Sequence, residues 1–245
     1  MKYGFFLITG TSKGIGEALA QNLLEKGHTV LGISRSVPDK LTSKGYYHLV
    51  FDLNNTTQIN QIMEKVNEIV DNRSYDFICL VNNASVAEPL GTIEKCPAAE
   101  IDAHVRIGLI APMILTSMFL QKYSDIKIRK KVVFITSGSA FEALNDESIY
   151  CSTKAGLNMF AQCIGLEQNK KEYGFEVISI RPGMVDTPMQ LLARSKSSDE
   201  YAWAELGKQV YQEGKLQKPN TVAEKIITII ENKYEQGKCI SVSEV

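Results

Sequence analysis

The sequence predicts an α/β fold built on one doubly wound parallel sheet with helices on both faces. Short apolar runs of strand length alternate with segments of helical period, and the connections between them are short. A glycine-rich turn joins the first run to the first helix, as a βαβ chain requires. No internal repeat or shift in composition divides the 245 residues, so one domain spanning 1–245 is expected.

Phe5 to Ile8 is uniformly apolar and closed by Thr9-Gly10, the pattern of a strand buried on both faces. Gly14-Ile15-Gly16 leads into a helix from Glu17 to Lys26, with Gly27 placed as its C-terminal cap. Thr29 to Ile33 and Tyr46 to Phe51 are the next strands, separated by a polar loop containing Pro38. Thr56 or Thr57 is positioned to cap a helix whose Ile59, Ile62, Met63, Val66, Ile69 and Val70 recur at helical spacing. Phe77 to Val81 is a fourth strand running into Asn82-Asn83-Ala84-Ser85, and a helical region follows from about Ala98 to Tyr123. Lys131 to Thr136 reads as strand, Ile149 to about Glu172 as a long helix, and Phe175 to Ile180 as a strand ending in Arg181-Pro182-Gly183. The segment Thr187 to Lys218 is polar and irregular. Thr221 to Tyr234 is a helix that Gly237 ends, and Cys239 to Val242 is a last edge strand.

A formal net charge of −1 without any basic block gives no ground for a nucleic-acid or anionic-membrane partner. The longest uncharged apolar stretch, Ile107 to Leu120, is too short to cross a bilayer and contains Gly108 and Pro112. Met1-Lys2-Tyr3 leads into the first strand with no signal-peptide pattern, and the five scattered cysteines lack C-x-x-C spacing. Reduced thiols and a cytoplasmic location are expected. His28, His48 and His104 follow no metal-ligand spacing, so no metal is expected and each reads as a surface or satisfied polar residue.

Gly10-Thr11-Ser12-Lys13-Gly14-Ile15-Gly16 is where a phosphate belongs. Glycines let the backbone approach closely, and the helix N-terminus offers free N–H groups and a favourable dipole. The second strand ends in Ser34-Arg35-Ser36 with no carboxylate, and Lys13 lies in the glycine loop. A carboxylate there would bind a ribose 2′-hydroxyl, whereas arginine accommodates a 2′-phosphate, so NADP(H) is favoured over NAD(H). Tyr150 and Lys154 stand four apart, on one face of a helix, with the Ser137 hydroxyl at the end of an apolar strand. A neighbouring ammonium is expected to lower the phenol from its ordinary value of about 10 towards the range useful for acid–base work.

Thr9-Gly10-x-x-x-Gly14-Ile15-Gly16, Asp52-Leu53, Asn82-Asn83-Ala84, Ser137, Tyr150-x-x-x-Lys154 and Pro182-Gly183 together resemble the short-chain dehydrogenase/reductases, in order and spacing across nearly the whole chain. More closely, Ala111 to Ser117, Tyr150 to Gly156 and Val185-Asp186-Thr187-x-Met189-Gln190 look like the sepiapterin-reductase-like benzil reductases of bacilli, which reduce aromatic α-diketones with NADPH. The resemblance implies a Rossmann fold with Tyr150 as the acid that protonates a carbonyl oxygen. It implies Lys154 as the group that tunes Tyr150 and holds the nicotinamide ribose, and Ser137 as the hydrogen-bond partner of the carbonyl. It also implies that Asp52 and Leu53 contact adenine, Asn82 and Ala84 the neighbouring ribose, and Val185 and Thr187 the carboxamide, beside the Pro182-Gly183 turn.

Two departures stand out. Ser85 replaces the family's glycine after Asn82-Asn83-Ala84. Gly108 stands where the family usually carries an asparagine that kinks the helix and holds a water in the proton relay to the lysine. Gly108 leaves room for a kink and a water but supplies no amide, so proton resupply by a different water chain is expected.

The segment 187–218 follows the Pro182-Gly183 turn and belongs above the C-terminal ends of the strands, where ligands bind in open α/β sheets. Met184, Met189, Leu191, Leu192, Tyr201 and Trp203 form either a mobile apolar lid or the packing of a small helical excursion. Glu142, Asp146 and Glu147 read as a solvated loop, with a role in substrate choice as the alternative. The apolar face of Ile107 to Leu120 and the Tyr150 helix resemble the helices through which the family pairs subunits, so a homodimer or homotetramer is expected. The leading expectation is an NADPH-dependent carbonyl reductase acting on a small aromatic or dicarbonyl molecule. An NADP-dependent alcohol dehydrogenase and a catalytically weak dinucleotide-binding regulator are the alternatives.

Overall fold

Seven parallel strands form one sheet in the computed structural model, which describes residues 3–71 and 73–245. They are β1 (Gly4–Thr9), β2 (Thr29–Ser34), β3 (Tyr46–Val50), β4 (Phe77–Asn82), β5 (Arg129–Ile135), β6 (Glu176–Arg181) and β7 (Cys239–Ser241). Their order is β3-β2-β1-β4-β5-β6-β7, and Leu7 of β1 lies opposite both Leu31 and Leu80. The chain winds outward from β1 in both directions, so the connections after β1 and β4 leave towards opposite faces of the sheet and a crevice forms at the C-terminal ends of these strands. The Met1-Lys2 start lies outside the described residues.

Alternation along each strand divides the core between the two faces. Phe5 and Leu7 join the apolar faces of α2 (Asn60–Val70), α4 (Ala111–Tyr123) and α5 (Ser148–Asn169). Phe6 and Ile8 join those of α1 (Gly14–Glu25) and α8 (Pro219–Glu231). A strand covered on both sides has no polar face, which is why β1 reads as an unbroken apolar run. Gly27, at φ +82°, closes α1 with Gly27 N donating to Leu24 O and His28 N to Leu23 O, as expected of a C-terminal glycine.

Several expectations are corrected. Neither Thr56 nor Thr57 caps α2: a 3₁₀ turn over Thr56–Gln58 intervenes, and the Thr57 hydroxyl donates to Asn55 instead. Gly237 does not end α8, which stops at Glu231; Gly237 packs its backbone on α5, where a Cβ would come within 2.8 Å of Gln162. The segment read as irregular holds α6 (Pro188–Ser195), capped by the Thr187 hydroxyl, and α7 (Ala204–Gln212). Helices of eight and nine residues are too short to show a clear period among charges.

The region Ala98–Tyr123 is α3 (Ala98–Val105), a wide π turn over Arg106–Ile110, and α4. Taken as one run of 26 residues it is long and apolar enough to cross a membrane by length and composition. In this fold Leu115, Phe119 and Tyr123 bury it against the sheet.

Candidate active site

The crevice at the β1–β4 divergence opens into a cavity of about 540 Å³. Gly10, at φ +78°, begins its floor; a Cβ there would stand 3.0 Å from both the Ala84 backbone and the Asn83 amide. Ser12, Lys13, Gly14 and Ile15 continue the floor, and no side chain caps the N-terminus of α1. That end keeps its first N–H groups free of side-chain partners and pointed at the cavity rim, which suits a phosphate. Arg35 is exposed at the end of β2 and, among the described residues, enters no ion pair. Asp52, Leu53 and Ala84 also line the cavity, as do Pro182, Gly183, Val185 and Thr187.

Two residues assigned to cofactor binding lie elsewhere. Gly16 is in the first turn of α1, where a Cβ would come 2.2 Å from Gly10 O, so it serves the close approach of helix and loop. Asn82 is buried and turned towards α4, its amide donating to the Thr116 hydroxyl at 3.1 Å. Its neighbour Asn83 is the wall residue, and its amide donates to Thr9 O at 2.8 Å and Gly10 O at 3.3 Å, bracing the glycine loop. Adjacent asparagines cannot be ranked from sequence, because strand register alone decides which one turns inward.

Ser137, Tyr150 and Lys154 meet at the opposite end of the same cavity. Ser137 follows the C-terminal end of β5, and Tyr150 and Lys154 lie in the first turns of α5. The Lys154 ammonium is buried, donates to Ile135 O at 3.1 Å and lies 5.6 Å from the centre of the Tyr150 ring. Burial draws it down to about 8. Tyr150 departs from expectation: protein crowded around the phenol pushes it up to about 12, outweighing a hydrogen bond with Ser137 that pulls the other way. The lysine donates to a backbone carbonyl and stands 5.6 Å from the ring centre, and in this arrangement burial prevails.

Gly108 also departs from expectation. The π turn already supplies the kink, and a Cβ at Gly108 would stand 2.6 Å from the Thr153 methyl. The room foreseen for an amide or a water is therefore taken by Thr153. One turn earlier, His104 is buried, with Nδ1 2.8 Å from Glu88 O and no partner for Nε2 among the described residues. Its ring meets the Tyr150 ring edge-on at 5.9 Å. Burial holds it below the usual histidine range, and the Lys154 charge adds to that. His104 is thus neither a surface residue nor fully satisfied; its i,i+4 relation to Gly108 was the signal that could have placed it beside Tyr150.

The segment 187–218 roofs the substrate end, where Met184, Tyr201, Trp203 and Leu206 line the cavity. The Trp203 indole donates to Asn145 O at 2.9 Å, Ala202 N donates to the Asp146 carboxylate at 2.8 Å, and the Tyr201 hydroxyl donates to Glu147. The loop before α5 is therefore bound to the roof at Asp146 and Glu147, while Glu142 is exposed.

A family profile described as short chain dehydrogenase matches residues 5–198. The benzil reductase ((S)-benzoin forming) of Bacillus subtilis (strain 168) is 34% identical over 239 residues, 98% of each chain. The protein of the same name from Bacillus cereus is 35% identical over 248 residues, 98% of this chain and 99% of that one. The sepiapterin reductase of Rattus norvegicus is 29% identical over 92% of this chain and 90% of its own. Among solved structures, the KRED1-Pglu enzyme superposes with a TM-score of 0.84 at 21% identity, covering 96% of this chain and 99% of its own, a likeness of fold.

Proposed function

The chain belongs to the short chain dehydrogenase family, and on that premise we propose that it is an NADPH-dependent carbonyl reductase acting on neutral aromatic or α-dicarbonyl compounds. The observation that carries this reading is that Ser137, Tyr150 and Lys154 share one cavity with an uncapped glycine-loop helix and the exposed Arg35. The names of the two bacillar relatives, identical at 34% and 35% over nearly their whole length, support the diketone class.

A bound nicotinamide dinucleotide supplies the hydride. Gly10 and Gly14 let the backbone approach its phosphates, and Arg35 with Lys13 offers cations for a 2′-phosphate. Asp52 and Leu53 flank the adenine end, Ala84 the adjoining ribose, and Val185 with Thr187 the carboxamide. Tyr150 gives its phenolic proton to the carbonyl oxygen as the carbon is reduced, Ser137 orients that oxygen, and the Lys154 ammonium offsets the phenolate left behind. Lys13 and Arg35 suit the 2′-phosphate of NADP(H), which favours reduction over the alcohol-oxidation alternative.

NADPH oxidation followed by nicotinamide absorbance, with a ketone panel that includes benzil, tests the reading. Wild type is expected to turn over, and Tyr150→Phe to lose about 10²–10⁴-fold in rate while still binding NADPH. No turnover of any ketone by wild type would favour the dinucleotide-binding regulator, and undiminished turnover by Tyr150→Phe would remove the tyrosine mechanism. Pairing of two copies along α4 and α5 belongs to the same proposal, supported by the exposed Ile110, Met159 and Leu166. A cytoplasmic setting is supported by five cysteines that are all free thiols.

A further inference from the structure

Three consecutive acceptors in the loop before α5 face three consecutive donors of the roof in reverse order: Asn145 with Trp203, Asp146 with Ala202, and Glu147 with Tyr201. The last of these reaches the reacting end of the cavity. While one Glu147 carboxylate oxygen accepts from Tyr201, the other accepts from the Ser139 hydroxyl at 3.1 Å, and Ser139 in turn accepts from the Ser137 hydroxyl at 3.2 Å. Two hydrogen bonds therefore separate the Glu147 carboxylate from the serine that would orient a carbonyl, and Tyr201 and Ser139 together hold it in place.

Glu147 lines the cavity and, among the described residues, enters no ion pair. The cavity's cations have other partners or belong to the glycine-loop region. Arg194 pairs with Asp186 at 2.9 Å, Lys154 donates to Ile135 O, and Lys13 and Arg35 sit at the glycine-loop end. The lining of the cavity as a whole includes Val86, Leu90, Leu144 and Leu206, which neither hydrate nor neutralise a charge.

We propose that Glu147 is a specificity-determining residue that selects substrates by charge, admitting neutral carbonyl compounds and rejecting those with a carboxylate beside the carbonyl, such as 2-oxo acids. The inference rests on the carbonyl reductase reading for where the carbonyl sits. A carboxylate attached to that carbonyl carbon would lie on the Glu147 side of Ser137, two hydrogen bonds from the Glu147 carboxylate, in a partly apolar cavity where like charges repel more strongly than in bulk water.

Trp203, the single tryptophan of the chain, lines the cavity and reports binding without turnover. In the enzyme loaded with NADP⁺, its fluorescence is titrated with benzoylformate and with methyl benzoylformate, which differ in charge at the same position. Wild type is expected to bind the ester at least about tenfold more tightly than the anion. Glu147→Gln, which keeps the shape and one of the two acceptor oxygens but not the charge, is expected to shift that ratio at least about tenfold towards the anion. Tyr201→Phe, which keeps the charge and removes the roof contact, is expected to shift it less than about threefold. Equal binding of the two compounds by wild type, an unchanged ratio in Glu147→Gln, or a shift in Tyr201→Phe as large as that in Glu147→Gln would overturn the proposal. Failure of the reductase reading shows separately, as an ester that quenches Trp203 but is never reduced by NADPH.

Discussion

Lys154 sets the charge balance beside Tyr150. Burial draws its ammonium down to about 8, whereas the Tyr150 phenol, pushed up to about 12, stays protonated through ordinary pH. A lowered lysine loses its proton earlier as pH rises, so the cation that offsets the forming phenolate is present below about 8 and disappears above it. The kcat/KM for carbonyl reduction is therefore expected to fall as pH rises through about 8. A profile that stays level across that region would contradict the role of the ammonium. The pair Tyr150-x-x-x-Lys154 was legible as chemistry because i,i+4 spacing puts both on one helix face. The direction of the phenol's pKa was not, since it depends on how deeply the folded protein buries the hydroxyl. Thr153 was illegible for the same reason: what fills the space at Gly108 is a methyl group from another helix.

Arg129, Lys130 and Lys131 show how an element can be tied down by charges inside a strand. Lys130 donates to Tyr123 O and Ser124 O at the end of α4, on one side of the sheet. Lys131, fully buried, donates on the other side to Ile230 O at 2.8 Å and Asn232 O at 2.7 Å, at the end of α8, and meets Glu176 at 3.1 Å. Cations at helix C-termini satisfy carbonyls that the helix itself leaves open. Burial pushes Glu176 up, but the Arg129 fork and Lys131 more than offset it and hold the carboxylate below its usual range. Lys131→Met removes one partner of this buried set and is expected to cost about 3–5 kcal/mol, read as a lower urea midpoint. A loss under about 1 kcal/mol would mean that Arg129 alone satisfies Glu176. The same scale holds the reading of 187–218 that the sequence left open: α6 and α7 form a helical roof, and Tyr201, Ala202 and Trp203 bind it to the loop before α5.

At the scale of the molecule, apolar side chains are exposed along α5 and the turn that leads into α4. Ile110 in that turn and Met159 and Leu166 on α5 are exposed at 36%, 58% and 66%, and Gly156 lets Leu109 approach α5 closely. If two copies pair along these helices, wild type sediments as at least a dimer and Leu166→Glu shifts it to monomer, because a charge in an apolar interface must be desolvated. A wild-type monomer at micromolar concentration would count against the pairing. The parallel sheet covered by helices on both faces was legible in the sequence itself, whereas the strand order was not. Apolar runs, helical periods, the glycine turn and the Tyr–Lys spacing are local patterns that physics reads without the rest of the chain. The tertiary structure alone decided that Asn83 rather than Asn82 faces the cavity, that Gly16 serves packing, and that Glu147 reaches towards Ser137. Each of these turns on which side chain points inward once residues far apart in the chain are pressed together. Burial, hydrogen-bond partner and charge state are properties of that contact and have no local signature.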